Sequence, residues 1–243
     1  MTDIKSRWAF ITGASRGIGR LSALFLAERG CNLILHARKP EHLSEIRRET
    51  EAKGAAVHCV SAELADCGQV LEMLEQIDAL GVRVDIVMNS AGMQSEWHPD
   101  IFSTPYQEYD SRFRVNCTSP ALICNHFLPK MIKAGFGRVL NTTSGIANQP
   151  ELEPYSASKG ALDKYTRDVC SRLGGTGVTM NLVDPGWCRT DLGGPDAPNS
   201  AESTMPGYVL GVFVDDSING RLIGAQDYAG MTLEAALAKV EKR

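Results

Sequence analysis

The feature that most constrains the fold of this chain is a regular alternation between short apolar runs and helical stretches. Runs rich in β-branched and other apolar residues predict buried strands. These runs cover residues 8–11, 32–35, 56–60, 84–88, 138–140, 178–183 and 221–225. Helical patterns lie between them, at residues 21–29, 41–53, 70–80, 105–133, 155–173 and 207–214.

Strict alternation of strand and helix predicts an α/β fold, with a parallel sheet that carries helices on both faces. The strands are almost continuously apolar, which favours this arrangement over a one-sided antiparallel sheet. In such folds ligands bind beyond the carboxyl ends of the strands. Polar and glycine-rich segments at those ends are therefore the places to search for a site.

Composition narrows the function classes. The 243 residues, 43% of them hydrophobic, predict one domain over residues 1–243. A formal net charge of −4 without a basic block argues against nucleic acid, and no apolar run approaches a membrane span. The seven cysteines form no CxxC pair or zinc-finger spacing, so we expect neither a metal site nor disulfides. These features together predict a cytoplasmic protein.

The segment TGASRGIG, residues 12–19, directly follows the first predicted strand and opens the first helix. Gly13, Gly17 and Gly19 permit a tight turn and a close backbone approach, so the helix N-terminus can face a pyrophosphate. The spacing differs from GxGxxG, and a plain strand-to-helix connection is the alternative. Its place after the first strand favours nucleotide binding.

The end of the second strand indicates which nucleotide is bound. The sequence LHARKP places Ala37 and Arg38 where a site for NAD would carry a carboxylate for the ribose hydroxyls. A guanidinium can pair with the additional 2′-phosphate of NADP. Arg16 in the glycine turn is a second cation that could close over that phosphate. We therefore expect NADP(H) to be preferred over NAD(H).

Three further segments place small or polar groups near the same edge. They are NSAG at residues 89–92, NTTSG at residues 141–145, and EPYSASKG at residues 153–160. Tyr155 and Lys159 are four residues apart, so on a helix they share one face. The residues between them are small, which is expected to leave room for cofactor and substrate. Ser144, Tyr155 and Lys159 can thus converge beside a bound nucleotide.

Taken in this order, the motifs resemble the single-domain branch of the short-chain dehydrogenase/reductase superfamily. The matching segments are TGxxxGxG at Thr12, NxAG at Asn89, Asn116 in the fourth helix, Ser144, YxxxK at Tyr155, and PGxxxT from Pro185 to Thr190. Coverage runs from about residue 7 to residue 191. Ser90 replaces a common second Asn, and Glu63 stands where an Asp is usual near the adenine.

The resemblance implies a Rossmann-type, doubly wound sheet of seven parallel strands, and hydride transfer between a nicotinamide and a carbonyl or alcohol. Tyr155 would be the general acid/base, and Ser144 would hydrogen-bond the reacting oxygen. Lys159 would bind the nicotinamide ribose and lower the pKa of Tyr155. Asn116 would hold a water for proton relay. The cofactor contacts it implies are Gly13, Ser15, Arg16, Gly17, Ile18, Gly19, Arg38, Glu63, Leu64, Asn89, Ala91, Gly92, Tyr155, Lys159, Pro185, Gly186 and Thr190.

The substrate class stays open at this point. A general carbonyl reductase or alcohol dehydrogenase, a 3-oxoacyl-thioester reductase and a sugar or polyol dehydrogenase all fit the motifs. A different class is a protein that senses NADP without catalysis. The resemblance also implies a homo-oligomer built through the fourth and fifth helices.

The C-terminal segment, about residues 231–243, is predicted to form an added amphipathic helix. Its apolar face consists of Leu233, Ala236, Leu237 and Val240. Many relatives stop soon after the last strand. We therefore expect this added helix to cover a subunit interface or a neighbouring active site.

Overall fold

A computed structural model describes residues 1–242, and a parallel β-sheet forms its centre. Seven strands pair in the order β3-β2-β1-β4-β5-β6-β9, and a separate two-stranded pair joins β7 and β8. The strands are β1 (Trp8–Ile11), β2 (Asn32–Ala37), β3 (Val57–Ser61), β4 (Val84–Asn89), β5 (Gly137–Thr142), β6 (Val178–Asp184), β7 (Cys188–Arg189), β8 (Asn199–Ser200) and β9 (Leu222–Gly224). The predicted fold class is confirmed.

The strand order reverses beside β1, and this reversal creates the crevice in which the site lies. Phe10 of β1 pairs in register with Ile34 of β2 on one side and Val87 of β4 on the other. The chain leaves β1 towards β2 and β3 and then crosses back to β4. The carboxyl ends of β1 and β4 are therefore the topological switch point at which α/β sheets bind ligands.

Helices cover both faces of the sheet. They are α1 (Gly17–Ala27), α2 (Ser44–Ala52), α3 (Cys67–Ala79), α4 (Tyr106–Phe113), α5 (Ser119–Ala134), α6 (Glu153–Cys170), α7 (Leu210–Phe213) and α8 (Leu233–Val240). A π-helical turn, Arg114–Thr118, joins α4 to α5. No helix among residues 1–242 combines the length and the apolar character that a membrane crossing requires.

Alternate residues of each strand enter two separate cores. Ile11 and Leu35 pack with α1, α7 and α8 on one face, whereas Phe10 and Ile34 pack with α3 and α5 on the other. All four side chains are fully buried. Each contributes roughly 1.5–3 kcal/mol of hydrophobic stabilisation, which holds the strand ends rigidly in place.

Several predicted boundaries differ from the structure because turn residues continue the helices. Helix α1 begins at Gly17 rather than at residue 21, so the last part of the glycine turn is already helical. The region 41–53 splits into a 3-10 turn, Pro40–Leu43, followed by α2. Likewise, the stretch 207–214 is a 3-10 turn, Gly207–Val209, followed by α7.

The predicted C-terminal helix is present as α8. The side chain of Thr232 caps the N-terminus of this helix, where its hydroxyl accepts a hydrogen bond from the Ala235 amide at 3.3 Å. The apolar face packs into the core that α1 and α7 also line, and its four residues are buried there: Leu233, Ala236, Leu237 and Val240. That face is covered within the chain, and the expectation that the helix covers a subunit interface or a neighbouring active site stays a prediction.

Candidate active site

A cavity of about 650 Å³ opens along the carboxyl edge of the sheet, from the glycine turn to the N-terminal part of α6. Most of the predicted site residues line it. They are Gly13, Ser15, Arg16, Gly17, Ile18, Gly19, Arg38, Glu63, Leu64, Ala91, Gly92, Tyr155, Lys159, Pro185 and Thr190. Four predicted residues, Asn89, Asn116, Ser144 and Gly186, are not among the residues that line the cavity.

The glycine turn closes tightly on the start of α1. Gly13 has a φ of +66°, and a Cβ added there would lie 3.0 Å from the Ala91 Cα. A Cβ at Gly19 would lie 3.0 Å from the Gly13 carbonyl carbon and closer still to its oxygen. Side chains at these positions would therefore collide with backbone.

The N-terminus of α1 is suited to an anion. No side chain caps it, and its first turn contains no acidic residue. The orphan amides of that turn lie at the cavity, where a phosphate could satisfy them and interact favourably with the helix dipole. The residues present thus fit the pyrophosphate of a dinucleotide.

His36 fixes the turn from the neighbouring strand, a role that the sequence did not suggest. Its Nδ1 accepts a hydrogen bond from the Gly13 amide at 3.3 Å, and its Nε2 lies 3.1 Å from the Ala62 carbonyl oxygen. This assigns the neutral tautomer that carries its proton on Nε2. Burial lowers the pKa of His36 to about 4, so the ring stays neutral at physiological pH.

The two cations predicted to meet a 2′-phosphate both lie at the cavity. Arg38 follows β2 and is exposed. Arg16 instead forms an ion pair with Asp191, at 2.6 Å between Nη1 and Oδ2. Both members of this pair are well exposed, so it stabilises the fold by only about 0–1 kcal/mol and can be exchanged for a ligand contact. Asp191 was not singled out in the sequence, although it directly follows Thr190.

Asn89 lies behind the cavity wall rather than on it. Its amide donates to the Asn141 Oδ1 at 2.8 Å, which ties the end of β4 to the end of β5. The adjacent Ser90 lines the cavity and accepts a hydrogen bond from the Tyr208 hydroxyl at 2.9 Å. Asn89 therefore supports the cavity wall from inside the protein, and Ser90 is the residue exposed to the cavity.

Tyr208 is a buried phenol that sequence reasoning missed. Its hydroxyl also hydrogen-bonds the Thr142 side chain, so it joins the ends of β4 and β5. Burial raises its pKa, and the nearby Tyr155 phenol raises it further. It comes from the 3-10 turn before α7, which carries no recognisable motif, so no signal in the sequence could have identified it.

Tyr155 and Lys159 lie on the buried face of α6. Pro154 stands in the first turn of this helix, where its missing N–H costs nothing. The Tyr155 amide donates to the Ser95 Oγ at 3.0 Å, which fixes the first turn against the loop after β4. The Lys159 Nζ lies 5.9 Å from the centre of the Tyr155 ring.

The small residues between Tyr155 and Lys159 serve packing as well as space. Ser158 is fully buried and accepts a hydrogen bond from the Asn116 Nδ2 at 2.9 Å. This contact brings α6 close to the π-helical turn. Ser158 therefore contributes to packing within the chain, and the expectation that the small residues leave room for ligands stays a prediction.

Asn116 clamps the loop after β4. Its Oδ1 accepts from the Met93 amide, and its Nδ2 donates to the Met93 carbonyl oxygen, both at 2.9 Å. The π-helical turn presents this side chain in the required direction. A Cβ at Gly92 would lie 3.6 Å from the Asn116 Oδ1 and 3.7 Å from the Lys159 Nζ, so the three groups meet around Gly92.

Lys159 is only 3% exposed, and its ammonium donates to the Thr142 carbonyl oxygen at 2.8 Å. Burial lowers the pKa of Lys159 from 10.5 to about 8, against the opposing attraction of Asp163, Cys117 and Asp184. The lysine thus stays mainly protonated at neutral pH, but with a narrow margin.

The pKa of Tyr155 departs from expectation. Burial raises it, the Ser144 hydroxyl that hydrogen-bonds the phenol lowers it, and the Asp184 carboxylate raises it further. The expectation that the Tyr155 pKa is lowered is therefore wrong for this structure: desolvation of the phenolate outweighs the Ser144 hydrogen bond, and Lys159 is not among the groups that shift this pKa. Ser144 also accepts from the Ile146 amide at 3.2 Å, which orients its hydroxyl.

Comparison with known proteins now identifies the family. A family model described as short chain dehydrogenase matches residues 7–200, most of the chain. The chain belongs to the short-chain dehydrogenase/reductase family. It is accordingly an oxidoreductase of the NAD(P)-dependent type.

Several members of the family are similar over most of their length. A short-chain type dehydrogenase/reductase of Picea abies is 32% identical over 195 residues, which is 76% of this chain and 72% of that protein. An NADPH-dependent aldehyde reductase-like chloroplastic protein of Arabidopsis thaliana is 32% identical over 203 residues, 78% of this chain and 75% of that one. A metagenomic short-chain oxidoreductase solved in complex with NADP superposes with a TM-score of 0.70 at 28% identity, covering 76% of this chain and 84% of that one.

Proposed function

We propose that this protein is an NADP(H)-dependent oxidoreductase that interconverts a carbonyl and a secondary alcohol, with Tyr155 as general acid/base. The observation that carries the proposal is the arrangement of one cavity: the uncapped N-terminus of α1 lies at one end, and Tyr155 lies at the other. A dinucleotide spanning that cavity would have its phosphates at the glycine turn. Its nicotinamide would then lie near Tyr155.

When bound, the nicotinamide would donate or accept the hydride, as is usual for this cofactor. Tyr155 would supply the matching proton to the carbonyl oxygen during reduction and take it back during oxidation. Because burial raises the Tyr155 pKa, the phenol is protonated at neutral pH. The side chains on their own therefore favour the proton-donating direction.

Ser144 and Lys159 would prepare the reacting groups. The Ser144 hydroxyl, which already hydrogen-bonds the phenol, could donate to the substrate oxygen as charge develops there. The Lys159 ammonium uses one of its three protons on the Thr142 carbonyl oxygen, and the others remain for ribose hydroxyls. Asn116 would act through Met93 and Ser158, by holding the loop and helix that border the reacting groups.

The preference for NADP over NAD is supported by charge. Arg38 lies exposed at the cavity wall after β2, and this position carries no carboxylate. Arg16 could exchange Asp191 for a phosphate, since the two partners are exposed. Similarity to a structure solved with NADP and to an NADPH-dependent aldehyde reductase-like protein supports the same preference.

The experiment that tests the proposal follows oxidation of NADPH and NADH optically with purified protein. The substrate panel contains aldehydes, simple ketones, diketones, 3-oxoacyl thioesters and ketoses, and the reverse reaction is followed with the corresponding alcohols. Turnover that requires a carbonyl compound and is more efficient with NADPH supports the proposal. Turnover that is equal with NADH would reject the cofactor preference, and consumption of NADPH without any carbonyl requirement would reject the reaction.

A further inference from the structure

The loop after β4, residues 90–105, forms part of the cavity wall and also reaches the start of α6. Its residues 90–94 line the cavity. The next residue, Ser95, is buried, and its Oγ accepts a hydrogen bond from the Tyr155 amide at 3.0 Å. The position of this loop therefore affects both the cavity wall and the helix turn that carries Tyr155.

A buried carboxylate on α4 holds the second part of this loop. Glu108 is 8% exposed, and its Oε1 accepts a hydrogen bond from the His98 Nε2 at 2.6 Å. Its Oε2 lies 3.3 Å from the Nη2 of Arg112, one turn later on α4. Within residues 1–242 this Oε2 accepts no hydrogen bond, so the guanidinium charge is what compensates it. The side chains of His98 and Arg112 are mostly buried as well, which distinguishes this network from an exposed ion pair.

The two partners of Glu108 connect it to two different places. The His98 amide donates to the Glu151 carbonyl oxygen at 3.1 Å, in the 3-10 turn Pro150–Leu152 that leads directly into α6. The Arg112 Nε donates to the Gln94 carbonyl oxygen at 3.1 Å, at the cavity wall. One carboxylate thus joins the cavity wall to the segment before α6.

We propose that Glu108 is a positioning residue for the reaction. Through His98 and Arg112 it fixes the loop after β4 against the start of α6. Ser95 lies between the two fixed points of the loop, so its contact with the Tyr155 amide is held from both sides. Glu108 does not line the cavity itself. The inference rests on the proposed function, in which Tyr155 is the general acid/base.

The expected consequence is a loss of turnover without a loss of cofactor affinity. Proton transfer depends steeply on the placement of the donor and of the wall that orients the substrate. The phosphates of the cofactor would lie at the glycine turn, at the other end of the cavity. A displaced loop should therefore lower kcat and leave the Kd for NADPH close to that of the wild type.

The first test is hydrogen exchange of the ligand-free protein followed by mass spectrometry, because it requires no substrate. In Glu108→Gln the amide oxygen can still accept from His98, but the charge that pairs with Arg112 is lost. Exchange should become about tenfold faster in peptides covering residues 93–99 and 150–156. Exchange in peptides covering β1 should stay unchanged. His98→Ala removes the other partner and is the second variant if Glu108→Gln folds poorly.

The second test is turnover with the best carbonyl compound of the panel, expressed per NADPH-binding site. In Glu108→Gln and His98→Ala, kcat should fall by about tenfold or more while the Kd for NADPH changes less than about twofold. His98→Gln retains an N–H donor at about the reach of the His98 Nε2 and should restore most of kcat. The double variant should lose little more than the weaker of the two single variants, because both changes break the same connection.

Asp110→Asn is the matched control. Asp110 lies on the same helix, and its Oδ1 pairs with the Arg114 Nε at 2.9 Å on the exposed side. This variant also removes one carboxylate from an ion pair of α4. Exchange in both peptides and kcat should match those of the wild type.

Wild-type exchange in both peptides of a folded Glu108 or His98 variant would overturn the inference. Faster exchange with wild-type kcat would also overturn it, as would an equal effect of Asp110→Asn or an acceleration that extends to β1. The proposed function fails on a different result, namely turnover that survives loss of the Tyr155 hydroxyl. The two failures are therefore distinguishable.

Discussion

Replacing Lys159 with Met is predicted to stabilise the protein in the absence of NADP(H). The ammonium is nearly inaccessible to water, and burial lowers its pKa from 10.5 to about 8. At neutral pH the folded chain therefore buries a charged ammonium, which water solvates freely in the unfolded chain. Met has a similar length without the charge, so it should fill the same space.

The magnitude follows from the two pKa values. At about 1.4 kcal/mol per pKa unit, the difference between 10.5 and about 8 corresponds to roughly 3 kcal/mol of destabilisation at pH 7. The variant loses the hydrogen bond to the Thr142 carbonyl oxygen, worth about 1 kcal/mol, and removes one of the two cations that lower the pKa of Asp163, the other being Arg167. We expect a net gain of about 1 kcal/mol, or about 2–4 °C in Tm for a chain of this size.

The sign of the pH dependence is fixed by the same values. Between pH 8 and 10.5 the folded chain has released the Lys159 proton and the unfolded chain still binds it, so wild-type stability gains from this group as pH rises. The variant has no such gain, and its advantage should shrink and then disappear over that window. Other alkaline titrations occur in both proteins and cancel in the difference.

The assay is urea denaturation of wild type and Lys159→Met at several pH values from 6 to 10. Lys164→Met is the control, because Lys164 lies on the same helix but is exposed. A Lys159→Met variant that is less stable than wild type at pH 7 would refute the reasoning. A stability difference that is independent of pH would refute it equally, since the effect would then not arise from a buried charge.

Three further predictions concern the cofactor site and assembly. Gly19→Ala should weaken NADPH binding at least about tenfold, because its Cβ would collide with the Gly13 backbone. Gly160→Ala is the control: a Cβ there meets no heavy atom within 4 Å, so this variant should bind NADPH normally and its free energy of unfolding should rise by about 0.5–1 kcal/mol. Equal affinities in a binding titration would contradict this. Arg38→Asp should lower the ratio of kcat/KM with NADPH to kcat/KM with NADH by about tenfold or more, because it removes a partner for the 2′-phosphate and adds repulsion. An unchanged ratio would show that Arg38 does not select the cofactor. Light scattering should give a multiple of the chain mass, as the family resemblance implies, and a monomeric mass would reject that expectation.

Local signals were enough to predict the framework of the site. The first strand was predicted as residues 8–11, as observed, because a fully apolar run is followed at once by a glycine turn. Three features of the site each lie within one short segment of the sequence: the glycine turn, Arg38 and the pair Tyr155 and Lys159. Short motifs were therefore enough to predict that these residues lie at the cavity. Parallel strand order then brings these segments to one edge.

Other parts of the site depend on contacts between distant segments, which no local pattern reveals. Tyr208 lies 118 residues from its partner Ser90, and His36 accepts from Gly13 across two strands. The raised pKa of Tyr155 results from desolvation in the packed structure, whereas the sequence indicated only a neighbouring lysine. The amphipathic pattern correctly predicted α8 as a helix, but it could not show that the apolar face packs into the core that α1 and α7 line.

The measurement that tests the central claim most directly is turnover by Tyr155→Phe, with Tyr165→Phe as control. Tyr165 lies on the same helix, but its hydroxyl donates to the Asn125 Oδ1 at 2.8 Å, away from the cavity lining. We predict that Tyr155→Phe binds NADPH normally and loses at least about 100-fold in kcat with the best substrate of the panel, whereas Tyr165→Phe retains wild-type turnover. Turnover by Tyr155→Phe at the wild-type rate would contradict the assignment of Tyr155 as the general acid/base.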